Sequence, residues 1–529
     1  MPKTATKRPN ILLLMLDQLA PQSLPDYGHK LVQTPHISAL AADGTVFDNF
    51  YCNSALCGPS RASFMTGQAN HRLGAYDNAS EFKASIPTFA HYLRRAGYRT
   101  CLAGKMHFVG PDQLHGFEER VTTDMYPGDF GWTPTWDDPA RVHWWFHNML
   151  SVTEAGPYER TLEIDYDEEV AQRSARWLWD AGRGSDERPF MMCVSLMHPH
   201  DPYMAPKQLW DRYKDADIDM PTVPNVPHNQ RDPFSARMWA MYDRDEYEVT
   251  DEHIRTARHG YYSMITYADE LIGHVMQPLH KQGLADSTVV IVCADHGDML
   301  GERGLWFKMV HYERSIRVPL IVKLPGESKA RRVAQNASLI DLLPTLVDIA
   351  SGGEMPDLAA PIEGTSLLPL VRGGVVKDWT DTVYGEYLAE GTTEPVFMIK
   401  RGSQKLITAK DDPVQLFDTA ADPHELINLA TDPAHAKTLA AMTAEAAKRW
   451  DSDAICADVV ASQRARIMVQ NALVTGRITP WDWEPRTDAA KVYNRNYGGE
   501  LYDTDRRARV PYRPEPAKRS RRDWSQDVK

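Results

Sequence analysis

The stretch Asn53-Ser-Ala-Leu-Cys57-Gly-Pro59-Ser-Arg61-Ala-Ser-Phe-Met-Thr66-Gly67 sets one thiol among small and punctuating residues, a composition suited to nucleophilic chemistry. Proline and glycine there predict a helix starting at the thiol, where free backbone N–H groups would lower the pKa of Cys57 and attract an anion. Arg61 follows one turn later, over the same anion site. Two apolar runs, residues 9–16 and 287–293, deliver Asp17-Gln18 and Asp295-His296-Gly297-Asp298 at their ends. Parallel strands place their chemistry at their carboxyl ends, so both pairs are expected at one sheet edge. Hard aspartate oxygens with one imidazole suit a divalent cation.

The elements that must position these groups alternate between strand and helix. Residues 98–103 read as a strand ending at Gly104-Lys105-Met106-His107, and residues 190–196 as one ending at His198-Pro199-His200-Asp201. Helical periodicity covers 85–96, with Pro87 in its first turn, and 252–279, which fits a crossover to the strand at 287. Lys308 closes a glycine-rich loop that begins at Gly301. The pattern predicts an α/β domain over residues 1–375, with a mixed, mostly parallel sheet sandwiched by helices. A smaller α+β region over 376–460 carries strands at 382–387, 396–400 and 404–409 and a helix at 433–450. Residues 461–529 form an extension, expected to pack on a neighbouring subunit and to make a homodimer or homotetramer.

Composition narrows the classes. Hydrophobic residues make up 43% and charged residues 25% of 529, as in an ordinary globular enzyme. A formal net charge of −13 argues against nucleic-acid binding, although basic residues cluster between 506 and 522. The six cysteines lack CxxC spacing, which indicates neither a zinc site nor a disulfide framework and points to a reducing, cytoplasmic setting. The first apolar run is too short for a signal peptide, and no stretch reaches the length of a membrane span.

Asp17, Cys57-Gly-Pro-Ser-Arg61, Gly104-Lys105-Met-His107, Pro199-His200, Asp295-His296-Gly297 and Lys308 together resemble, in order and context, the type I sulfatases of the alkaline-phosphatase-like superfamily. The stretches 104–117, 129–134, 144–148, 298–309 and 480–485 look like bacterial choline sulfatases in particular. The resemblance implies oxidation of Cys57 to formylglycine by a formylglycine-generating enzyme. It implies a metal held by Asp17, Gln18, residue 57, Asp295 and His296, calcium first, with magnesium or manganese as alternatives. Many sulfatases have an aspartate where this chain has Gln18. Arg61 would orient the formylglycine hydroxyls; Lys105, His107 and Lys308 would neutralise sulfuryl oxygens, with Asn78 as a further donor and His200 as general acid. One hydroxyl of the aldehyde hydrate attacks sulfur and the alcohol leaves; the second hydroxyl then expels sulfate as the carbonyl re-forms. For a choline ester the resemblance implies Trp132, Trp145 and His147 around the quaternary ammonium, with Glu386 as anionic partner. The same nucleophile and metal would also serve phosphonate monoesters or phosphodiesters, and an unoxidised Cys57 would leave a non-catalytic binder of sulfate esters.

Overall fold

The computed structural model describes residues 8–137, 147–352 and 358–476, together with Asp505, Arg509 and Pro511. Trp145, the segment 481–483 and most of the basic tail lie outside the described residues.

Ten strands precede the appended region: β1 (Asn10–Leu16), β2 (Thr45–Tyr51), β3 (Arg99–Gly104), β4 (Glu119–Arg120), β5 (Gly156–Tyr158), β6 (Phe190–Leu196), β7 (Met204–Pro206), β8 (Thr288–Ala294), β9 (Leu320–Lys323) and β10 (Arg331–Ser338). Eight of them form one sheet in the order β10-β2-β9-β8-β1-β6-β3-β4, while β5 and β7 pair separately. Only the contacts of β9 with β2 and β8 are antiparallel. Every residue of β6 and β8 is buried. Because successive side chains point to opposite faces, complete burial means that both faces of the sheet are covered. This explains why these strands read as continuous apolar runs.

The covering helices fall into two packed groups. Leu162–Arg183 lies against Asp251–Lys281, and Cys57–Thr66 packs with Phe89–Arg95 and Leu342–Ser351. Thr250 opens the long crossover helix with a capping box shared with His253. The helix expected from residue 85 begins instead at Phe89, because Thr88 and His91 form its capping box and leave Pro87 outside.

A second, antiparallel sheet contains β11 (Thr382–Tyr387), β12 (Val396–Arg401), β13 (Gln404–Thr408) and β14 (Gln415–Asp418) in sequential order. The helix Ala436–Arg449 packs on it, and Trp450 stacks on Phe397 with ring centres 4.5 Å apart. The expected boundary at 460/461 is corrected by the helix Ser452–Leu473, which runs through it. Val459 and Ile455 on that helix join the same apolar cluster as Tyr76, Trp136 and Phe397, and Gln463 and Arg466, past the expected boundary on the same helix, are buried as well. No helix among the described residues is long and apolar enough to cross a membrane.

Candidate active site

Four neighbouring strands, β8-β1-β6-β3, are mutually parallel, so their carboxyl ends lie side by side along one edge. That edge receives Asp295-His296 from β8, Asp17-Gln18 from β1, His198 to Asp201 from β6 and Lys105 to His107 from β3. The chain turns sharply as it leaves the sheet. Gln18 and His107 take positive φ values of 64° and 56°, and Phe307 and Met309, on either side of Lys308, take 60° and 72°. Such left-handed backbone costs non-glycine residues of order 1–3 kcal/mol each and recurs where structure is spent on function. Gly104, with φ 93°, admits no side chain, because a Cβ there would overlap the Ser195 carbonyl oxygen of β6.

Cys57 is the first residue of its helix and is buried. Its Sγ lies 3.1 Å from His296 Nε2, 3.5 Å from Lys105 Nζ and 3.9 Å from Asp17 Oδ1. Burial alone would raise the thiol pKa, but Lys105, Lys308 and His296 hold it well below its usual range. Arg61 ties the strand ends together. Its Nε donates to Asp295 Oδ2 at 2.8 Å and its Nη2 to Asp17 Oδ2 at 3.0 Å. Nη1 reaches the Lys105 carbonyl at 2.6 Å and Ser195 Oγ at 2.8 Å. Removing one side of such a buried pair typically costs about 3–5 kcal/mol.

The donor set fits a single cation. Asp17 spends Oδ2 on Arg61 and Lys105, while Oδ1 faces His296 Nε2 at 3.7 Å. His296 Nδ1 lies 3.1 Å from the Gly297 carbonyl, which can only accept, so Nδ1 carries a proton and Nε2 is the ring nitrogen that faces the cluster. Asp295 Oδ2 lies 3.6 Å from that Nε2. One ligand atom from each of Asp17, Cys57, Asp295 and His296 lies within 4.8 Å of every other. Ligands bound to one calcium-sized ion are separated by roughly 5 Å at most. Burial lowers the His296 pKa, yet Asp295 and Cys57 raise it overall, so the cluster favours positive charge. Gln18 stands apart from this cluster, contrary to the expected ligand set: its Oε1 accepts from Lys308 Nζ at 2.6 Å and its Nε2 donates to Asp298 at 2.8 Å and Asp201 at 3.2 Å.

His200 and Lys308 form a proton-sharing pair. Lys308 Nζ lies 2.8 Å from His200 Nε2, and His200 Nδ1 bonds to the Asp201 carbonyl. The carbonyl requires a donor, so Nδ1 is protonated and Nε2 accepts from the ammonium. On the opposite wall His107 Nε2 lies 2.9 Å from the Asn78 carbonyl, leaving Nδ1 buried with no hydrogen-bond partner among the described residues. Asn78 Oδ1 accepts from the Gly58 amide at 2.8 Å.

A cavity of about 130 Å³ adjoins Cys57, lined by Asn78, Tyr126, Trp132, His147, His200 and Glu390 among others. Trp132 packs against Tyr126 with centres 5.0 Å apart, and His147 lies 5.6 Å from His200. Burial, with Lys308 beside it, lowers the His147 pKa to about 4 against the opposing pull of Asp201. Burial pushes the Glu390 carboxyl up to about 8. Among the described residues no ion pair reaches it. Glu386 does not line this cavity; its carboxylate binds the His71 ring at 2.6 Å, the His71 amide at 2.9 Å and the Trp450 indole at 2.7 Å. Of these two glutamates it is Glu390, four residues later in the loop after β11, that lines the cavity, together with Asp201, Glu154, Glu163 and Asp505, and the sequence reading missed it. Function favours such loops over strand interiors, and that was the available signal. Tyr126, Ser195 and the pair Asp505–Arg509, which also borders the cavity, were likewise missed.

Residues 9–353 match the sulfatase family. The chain belongs to the sulfatase family. Within this sulfatase, residues 301–451 match the C-terminal part of N-sulphoglucosamine sulphohydrolase, and residues 457–510 match the choline sulfatase enzyme C terminal. The choline-sulfatase of Rhizobium meliloti is 44% identical over 499 residues, covering 93% of this chain and 96% of that protein. N-acetylglucosamine-6-O-sulfatase of Bacteroides thetaiotaomicron is 28% identical, covering 78% and 80%. Among solved structures, the phosphonate monoester hydrolase of Silicibacter pomeroyi superposes with a TM-score of 0.66 at 26% identity, covering 84% of this chain and 95% of that one. The protein is a sulfuric ester hydrolase of alkaline-phosphatase-like fold.

Proposed function

We propose that this sulfatase hydrolyses choline O-sulfate to choline and sulfate. The observation that carries the choline assignment is the cavity beside Cys57, walled by Trp132 and Tyr126 and bearing the buried acidic side chain of Glu390, which no ion pair reaches among the described residues. A quaternary ammonium offers no hydrogen-bond donor, so aromatic faces and a carboxylate are the groups that can select it. The choline-sulfatase of Rhizobium meliloti supports the same substrate. A neutral leaving group, as in many phosphonate monoesters, gains nothing from Glu390, which is why that alternative ranks second.

The sulfuryl group sits over the start of the nucleophile helix. Sγ of Cys57 marks where the oxygens on the oxidised Cβ of formylglycine stand. Lys105, Lys308 and His107 offset charge on the sulfuryl oxygens, Arg61 fixes the strand ends that flank the nucleophile, and Asn78 holds the Gly58 amide in place. His200, fed by Lys308, protonates the departing alcohol oxygen. Asp17, Asp295, His296 and residue 57 would hold a divalent cation, which would supply Lewis acidity to the nucleophilic hydroxyl. Calcium suits the oxygen-rich set. Calcium added to metal-free protein at about a hundred times its Kd is expected to stabilise the fold by about 2.7 kcal/mol, read as a rise in Tm. Asp17→Asn loses most of that rise; an equal rise in the variant assigns the ion to another place.

Substrate selection is tested by kcat/KM for choline O-sulfate against its uncharged carbon isostere. A desolvated cation–π contact is worth roughly 2 kcal/mol, so the expected preference is about tenfold or more, and a ratio near one removes choline as the substrate. The pH dependence has a definite sign. Glu390, raised to about 8 by burial, is neutral below that value and anionic above it. Affinity for choline is therefore expected to climb as pH rises toward about 8 and then to level, and Glu390→Gln flattens the slope.

Maturation of Cys57 requires a formylglycine-generating enzyme as partner. All six cysteines are unpaired thiols, in keeping with a reducing, cytoplasmic compartment. The C-terminal helix exposes Met468 and part of Val469, an apolar surface that supports a homodimer or homotetramer.

A further inference from the structure

Asp77 and Arg466 meet across a sequence separation of 389 residues. Both are buried, and the two Arg466 Nη atoms each lie 2.7 Å from one Asp77 carboxylate oxygen. Arg466 Nη1 also donates to Thr133 Oγ1 at 3.2 Å, and Nε donates to Ser462 Oγ at 3.2 Å, so the guanidinium is fixed from its own helix as well. Asp77 organises a tight turn: its Oδ1 accepts from the Ala79 amide at 3.0 Å and from Ser80 Oγ at 3.2 Å, and its carbonyl accepts from the Ser80 amide at 3.1 Å. The residue enclosed by that turn is Asn78.

Asn78 acts on the reacting centre from both its side chain and its backbone. Oδ1 holds the Gly58 amide, immediately after the nucleophile position, and the carbonyl holds His107 Nε2. Since a carbonyl only accepts, that contact fixes the tautomer of His107 and aims the unpartnered Nδ1 away from the turn. A shift of the turn therefore displaces the helix start and the His107 ring together. Misplacement of reacting groups by about 1 Å can cost on the order of 10²-fold in rate.

We propose that Arg466 is a positioning residue for sulfate-ester hydrolysis, so that the C-terminal helix Ser452–Leu473 completes the active site of its own chain by clamping the Asp77 turn. This inference rests on the sulfatase reading of the site. Without the guanidinium, the Asp77 carboxylate is a buried charge with no counter-ion among its described contacts, and the turn must rearrange to reach water or neutralise.

The test uses the full chain carrying Arg466→Gln, Arg466→Lys or Asp77→Asn, with the formylglycine content at position 57 measured by peptide mass and rates expressed per formylglycine. Assays run well below each variant's Tm, on choline O-sulfate and on an aryl sulfate. Arg466→Gln is expected to lower kcat about 100-fold on both esters with KM changed less than about threefold. Arg466→Lys keeps the charge but not the two-oxygen clamp, and is expected to lose about tenfold in kcat. Asp77→Asn should match Arg466→Gln, and the double variant should cost no more than either single one, as for one shared interaction. Parent kcat per formylglycine in the folded variants, with only Tm or yield reduced, overturns the proposal. If Arg466→Gln does not fold, Arg466→Lys decides alone by the same criterion. A parent protein that hydrolyses no sulfate ester instead removes the sulfatase reading on which the inference stands.

Discussion

Cys57→Ala is expected to lower kcat/KM by at least about 10⁴-fold while leaving the fold intact, since removal of a nucleophile can abolish up to about 10⁶ of rate enhancement. Everything at the sheet edge converges on this atom position: Lys105 and His296 lie within 3.5 Å of Sγ, and Arg61 braces the two aspartates beside it. The remaining groups still bind the sulfuryl oxygens, so substrate affinity should survive better than turnover. Alanine also suits the first turn of a helix. The measurement is steady-state turnover of choline O-sulfate together with the thermal midpoint and circular dichroism of the variant. Activity within tenfold of the parent, in protein free of parent contamination, would place the nucleophile at another residue.

The second large effect depends on the leaving group. His200→Ala is expected to cost about 10³-fold in kcat on choline O-sulfate but less than about tenfold on 4-nitrophenyl sulfate. An alkoxide is a poor leaving group and needs a proton in the transition state, whereas a nitrophenolate leaves without one. The geometry supplies that proton through the 2.8 Å contact between Lys308 Nζ and His200 Nε2. Lys308→Ala should depress both esters, because the ammonium also faces sulfuryl charge, and the double variant should fall well short of the product of the single losses. Equal losses on the two esters in His200→Ala would reduce His200 to a binding role.

The legible parts of this site share a property. Asp17, His200 and Asp295 each follow a strand whose largely apolar run is visible over six or seven residues, Lys105 follows the shorter run Cys101-Leu-Ala103, and Cys57 opens a helix marked by its own glycine and proline. Local periodicity and punctuation therefore place them. Glu386 and Glu390 show the limit of that logic. Both are buried carboxylates within a five-residue stretch, yet one is consumed by His71 and Trp450 while the other borders the cavity. Nothing in their spacing distinguishes them, because the partners that decide the matter come from distant segments. Gln18 is similar: adjacency to Asp17 suggested a metal ligand, but a left-handed turn redirects its amide toward Lys308, Asp201 and Asp298.

The sequence by itself determined the α/β class, the place of the Cys57 helix start and the identities of the acidic and basic strand ends, since each is written in contiguous residues through side-chain period and turn chemistry. Tertiary structure alone decided the order β8-β1-β6-β3 that brings those ends to one edge, the choice of Glu390 over Glu386, and the clamp between Asp77 and Arg466. These depend on which surfaces bury one another across hundreds of residues. Burial energy is non-directional and proportional to area, so it leaves no local pattern that names its partner.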